Sequence, residues 1–292
     1  MNPLLLAYYG DDFTGSTDAL ECLAESGVRT ALFTLPPSAA ALARFPELQA
    51  VGVAGRTRAL APEAIDQELP PVLERLAELQ PRHIHYKVCS TFDSSPTQGS
   101  IGRAIEAARR CCPGRYVPIL AAAPALGRYT AFGHHFATRG IGDAQVVYRL
   151  DRHPSASRHP ATPMGESDLR RHLAEQTDLP IGLFDLRYYQ RSHTDQLAAL
   201  DQLLAEGAAA VLFDALEQQH LAQIGRLIDA SADGQKPFFS VGSSGVETAL
   251  TAEWQRQGLV ERGLEPAPSE PVTQVLAASG SCSPVAQSQI EW

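Results

Sequence analysis

A chain of 292 residues, 44% hydrophobic and 20% charged, is long enough for one large globular domain or two smaller ones. A formal net charge of −9 without any basic run argues against nucleic acid as the main partner. No stretch approaches the ~20 apolar residues of a membrane span, and the opening MNPLLLAYYGDD lacks the basic region of a secretory signal. The five cysteines are scattered without a C-x-x-C pair, so reduced thiols in a cytoplasmic protein are expected. Of the 24 basic residues only Lys87 and Lys236 are lysine, so a lysine in this chain marks a place where a compact point charge is wanted.

Strand-length apolar runs alternate with helical patterns. LLLAYYG (4–10) reads as a buried strand, and STDALECLAESG (16–27) as a helix capped by Thr14 or Ser16 and stopped at Gly27. RTALFTL (29–35) and LQAVGVAG (48–55) are strands. Residues 62–81 are helical around an interruption at Pro70–Pro71. HIHYKV (83–88) is a strand, 97–111 a helix and RYVPILAAAP (115–124) a strand. From about 125 to 165 the chain is rich in Gly, His, Arg and Pro, and its helical signal fades, as in a long functional or mobile connection. Alternation then resumes, with helices at 166–177, 194–207, 220–232 and 246–258 and strands at 181–186, 208–215 and 237–245. The pattern predicts an α/β fold: a mainly parallel sheet with helices on both faces, in three layers.

Residues 261–271 are Pro-rich and read as a linker, and 272–292 as a strand, a Gly/Ser turn and a helix start. One such unit cannot bury enough apolar surface to stand alone. The expected organisation is therefore a main domain over 1–260, a linker over 261–271, and at 272–292 the first βα unit of an incomplete second domain.

Ligands of open α/β sheets gather at the carboxyl ends of the strands, and three such ends carry chemistry here. Asp11 and Asp12 follow the first strand; paired carboxylates repel phosphate but suit polyol hydroxyls, a magnesium ion or a general base. One of them could simply cap the following helix. GRTRA (55–59) offers Arg56 or Arg58 as a forked carboxylate grip. HYKVCSTFDSSP (85–96) carries Lys87, then Ser90, Thr91 and Asp93, while Ser94, Ser95 and Thr97 read better as turn and cap residues. His134, His135, His153 and His159 match no zinc spacing, so no metal ligands are assigned and loop hydrogen bonding is expected of them. Cys89, inside an apolar strand, reads as a structural thiol. No P-loop, S-x-x-K or G-x-S-x-G motif is present.

GDDFTGSTDAL, HYKVCSTFDSSP, the GRYTAFG and HPATPM segments, and SGSCSP near the end, in that order, resemble the four-carbon acid sugar kinase family, once catalogued as a domain of unknown function. The CSTFDS form resembles its 3-oxo-tetronate kinase branch. The resemblance implies an N-terminal domain that binds a small sugar acid, a C-terminal domain that binds ATP, and transfer of a phosphoryl group to a terminal hydroxyl of a 3-oxo-tetronate, threonate or erythronate. It places Asp11, Asp12, Lys87, Ser90, Thr91 and Asp93 around the sugar acid, with Arg58 on its carboxylate. Ser279, Gly280 and Ser281 fall near ATP, whose magnesium is carried with it. Asp12, or else Asp93, would take the hydroxyl proton, with Lys87 offsetting charge on the transferring group. The glycine-rich GGET-like segment of the family is absent, which suggests a truncated kinase. Two other readings stay open: a sugar-acid-binding module without catalysis and an aspartate-based phosphatase, whose D-x-D-x-T motif DDFTG does not match. Partners are thus a small sugar acid and ATP, with no nucleic acid or membrane, and assembly with further copies is left open.

Overall fold

Apolar runs one strand long, separated by helices, satisfy their backbone groups by lining up as a parallel sheet. The computed structural model describes residues 4–140, 145–263, 271–276 and 290–291. Its strands are β1 (Leu6–Gly10), β2 (Thr30–Phe33), β3 (Ala50–Ala54), β4 (His83–Lys87), β5 (Val117–Leu120), β6 (Arg128–Ala131), β7 (His134–Arg139), β8 (Val146–Arg149), β9 (Ile181–Phe184), β10 (Ala210–Phe213) and β11 (Phe238–Gly242). Its helices are α1 (Phe13–Glu25), α2 (Ala39–Leu42), α3 (Pro62–Glu78), α4 (Ile101–Cys111), α5 (Leu169–Ala174), α6 (His193–Ala205), α7 (Gln218–Ala230) and α8 (Gly245–Arg256).

Eight strands form one sheet in the order β2-β3-β1-β4-β11-β5-β10-β9, and every pairing in it is parallel. Each of the eight coincides with an apolar run in the sequence. Side chains alternate between the two faces. Ala7, Tyr9, Ile84 and Tyr86 pack into the core under α3, α4 and α5, whereas Leu6 and Tyr8 join the core under α1, α7 and α8. The chain first builds outward from β1 to β2 and β3, then crosses to β4 on the other side. The ends of β1, β3 and β4 therefore meet at a reversal of strand order, the usual ligand position in such sheets.

Several local expectations are corrected. α1 begins at Phe13, and its cap is Asp12, whose Oδ1 accepts from Gly15 N at 2.6 Å, not Thr14 or Ser16. Pro70 and Pro71 lie inside α3 without ending it; α3 stays anchored through buried Ile65, Leu69, Leu73 and Leu76 on both sides of them. The weakly patterned segment after 125 contains a second, antiparallel sheet, β6-β7-β8. Its β6–β7 turn has left-handed backbone at Phe132 and Gly133, and both amides donate to Asp214 at the end of β10, at 2.6 and 3.0 Å. Residues 271–276 hold no strand, and Val272 and Leu276 are 73% and 98% exposed. The rest of the expected second unit lies almost wholly outside the described residues.

Candidate functional site

The ends of β1, β3 and β4 are stitched together by their backbones before any side chain is considered. Gly55 N donates to Gly10 O, Arg58 N to Asp11 O and Asp11 N to Lys87 O, all at 2.9–3.0 Å. This fixes the two aspartates, Arg58 and Lys87 relative to one another.

Arg58 is the centre of the cluster. Its Nε and Nη2 donate side-on to Asp11 at 3.0 and 2.6 Å, and its Nη1 donates to Asp12 at 2.7 Å. Asp11 is 1% exposed, and burial pushes its carboxyl up to about 6 against the opposing pull of Arg58. Asp12 keeps more solvent contact while serving as the helix cap. Arg56, by contrast, points outward to Glu68.

Lys87 closes β4 and is almost fully buried, with Nζ 2.8 Å from Asp18 Oδ2 and 3.1 Å from Val88 O. A Cβ placed on Gly15 would stand 2.6 Å from Asp12 Oδ1, 3.4 Å from Lys87 Nζ and 3.5 Å from Arg58 Nη2. Glycine in the first turn of α1 thus keeps open a point on which three charged groups converge. Burial alone would lower the Lys87 ammonium, but Asp18 and Glu247 more than offset it and hold it above the usual lysine range. Glu247 is fully buried on α8, and burial pushes its carboxyl up to about 8. Its Oε1 lies 3.5 Å from His85 Nε2, and burial lowers that imidazole to about 3.

A cleft of about 330 Å³ opens at this edge, lined by Asp11, Asp12, Arg58, Gln98, His159 and Thr162 among others. Lys87, Ser90, Thr91 and Asp93 do not line it. Thr91 Oγ1 donates to Asp93 Oδ1 at 2.8 Å and stands 2.9 Å from Cys89 Sγ, while the Ser90 carbonyl accepts from His135 Nε2 at 2.8 Å. Burial pushes the Cys89 thiol up to about 11, which leaves it a poor nucleophile. Ser94 bonds His172, and Ser95 accepts from the amides of Thr97 and Gln98, so this part of the motif is turn structure. Of the histidines noted in the sequence, His153 and His159 make the expected loop hydrogen bonds, to the amides of Ser155 and Ala156 and to Thr162, whereas His134 and His135 lie in β7, His134 bonding Ser167 and His135 its cross-strand partner Thr130. Ser279, Gly280 and Ser281 lie outside the described residues.

Sequence reasoning missed Asp18, Glu247 and the cleft-lining Gln98, His159 and Thr162. Asp18 and Glu247 each read as an ordinary helix acid, and only the adjacency of β4 to β11 and the packing of α1 on α8 reveal them. His159 and Thr162 fall within HPATPM, a segment whose likeness to the family motif was the available signal.

A parallel eight-stranded sheet with helices on both faces defines an open α/β protein, and an acid, guanidinium and ammonium cluster stands at its strand reversal. The chain belongs to the family described as the sugar-binding N-terminal domain, which matches residues 6–250. It is 48% identical to a 3-oxo-isoapionate kinase of Paraburkholderia graminis, across 99% of this chain and 60% of that protein. It is 32% identical to a 3-oxo-tetronate kinase of Methylobacterium radiotolerans, across 98% of this chain and 64% of that protein. The chain thus spans about three-fifths of the length of these curated relatives. A Haemophilus influenzae protein from a family of unknown function shares the fold, with a TM-score of 0.73 at 24% identity over 98% of this chain and 64% of its own.

Proposed function

We propose that this chain is the acid-binding part of an ATP-dependent kinase that phosphorylates a hydroxyl of a short sugar acid, with a 3-oxo acid as substrate. The observation that carries this reading is the direct contact of Arg58 with both Asp11 and Asp12 in a cleft large enough for a four-carbon acid. The names of the relatives at 48% and 32% identity support the class, and the higher value favours a 3-oxo-isoapionate-like acid over a linear 3-oxo-tetronate.

In this reading Asp12, the more exposed of the pair, accepts the proton of the reacting hydroxyl. Asp11 and Arg58 hold it in place. A guanidinium has five N–H donors, and three of these are committed to the aspartates, so one on each terminal nitrogen remains for the substrate carboxylate. Lys87 supplies fixed positive charge under Gly15. Among the described residues no group of three or more His, Cys, Asp or Glu side chains is placed to hold a metal ion. ATP with its magnesium would supply the phosphoryl group, and the candidate residues Ser279, Gly280 and Ser281 lie outside what is described.

Isothermal titration of the chain with erythronate, threonate and a 3-oxo sugar acid tests the reading. Saturable binding of at least one, in the ~1 μM to 1 mM range usual for enzyme substrates, is expected. Binding of none overturns it. A separate titration with ATP distinguishes a chain that holds its own nucleotide from an acid-binding module.

A further inference from the structure

The cleft carries a polar group that the motif chemistry leaves without a role. His159 lines it from the loop after β8, on a different part of the chain from Asp11, Asp12 and Arg58. Its Nδ1 accepts from Thr162 N at 3.0 Å and lies 2.9 Å from Thr162 Oγ1. A backbone N–H can only donate, so Nδ1 holds a lone pair, and in the neutral ring the proton sits on Nε2. The tautomer is set by the fold. Nε2 has no hydrogen-bond partner within the described residues, and it is not among the buried polar atoms left without one, so it faces solvent.

The cations nearby are largely committed. Arg58 gives three donors to Asp11 and Asp12, Arg56 pairs with Glu68, and Lys87 pairs with Asp18. An acid entering beside two aspartates needs donors from elsewhere. We propose that His159 is a substrate-binding residue, its Nε2–H donating to the carboxylate of the bound sugar acid alongside the free N–H groups of Arg58. This rests on the reading of the cleft as a sugar-acid site.

The test is titration of erythronate and threonate into wild type, H159A, H159N and H159Q. Asn reproduces an acceptor where Nδ1 stands, and Gln reproduces a donor where Nε2 stands. H159A and H159N should bind about 10- to 100-fold more weakly, the loss expected for one hydrogen bond to a charged group, and H159Q should recover most of it. Erythritol, which has the hydroxyls without the carboxylate, should bind wild type and H159A alike, whether weakly or not at all. Rescue by H159N and not by H159Q would reduce His159 to a brace for its loop and overturn the proposal. Equal affinity of H159A and wild type, or an equal loss for erythritol, would also overturn it. If wild type binds neither acid nor a 3-oxo sugar acid, the functional reading falls first and this inference with it. Thermal melts of all four proteins separate weakened binding from failure to fold.

Discussion

The two faces of the central sheet are built from the same strands yet enclose different interiors. β4 shows this residue by residue. Ile84, Tyr86 and the following Val88 point into an aliphatic core with Ile65, Leu69, Leu73, Ile101 and Ile105. His83, His85 and Lys87 point the other way, toward α1, α7 and α8, where Asp229 meets His83, Glu247 meets His85 and Asp18 meets Lys87. Burying charge costs more than burying hydrocarbon unless each group finds a partner. Both faces carry an apolar core, but only the side under α1, α7 and α8 also takes in the paired charges of β4 that lead to the strand-end site. Stability and binding should be separable by mutation.

The largest effect should come from R58A. It leaves Asp11 buried beside Asp12 without their shared cation, at a cost of about 3–5 kcal/mol, read by urea denaturation, together with loss of acid binding. Next is L69A on the aliphatic face, expected to cost about 2–5 kcal/mol while the folded protein keeps its acid affinity. A marked change in that affinity would show that the two faces are not separable.

E247Q sharpens the comparison through pH. The folded-state carboxyl of Glu247 titrates near 8, against 4.5 for a free glutamate, so the folded protein holds this proton more tightly than the unfolded chain. Wild type should lose stability as pH rises from about 4.5 through 8, and glutamine should not. Melting temperatures at pH ~5 and ~9 should diverge in favour of E247Q. The smallest stability effect should be that of G15A. Alanine gains up to about 1 kcal/mol of helix propensity, but its Cβ must displace the Asp12 carboxylate 2.6 Å away. Acid affinity should fall while the melting temperature barely moves.

How much of this was legible in the sequence follows the same physical division. The six inner strands of the parallel sheet announce themselves as apolar runs because both their faces are buried, and the edge strands β2 and β9 do so while only partly buried. β6, β7 and β8 do not, because a half-exposed sheet rich in His, Arg and Thr leaves only a faint alternation. Asp11, Asp12, Arg58 and Lys87 were readable because strand ends are where ligands collect. Asp18 and Glu247 were not, since nothing local distinguishes an acid aimed at a buried lysine from one on a solvated helix face. Asp12 carries both of the roles the sequence offered as alternatives, helix cap and cleft carboxylate.

The most direct test of the acid-binding cleft is a crystal structure of the chain soaked with erythronate. The ligand should lie against Asp12 and Arg58 with its carboxylate between Arg58 and His159. Density instead in the separate cleft lined by Asp18, Cys22, Ser244 and Thr248, with the first cleft unchanged, would contradict the account.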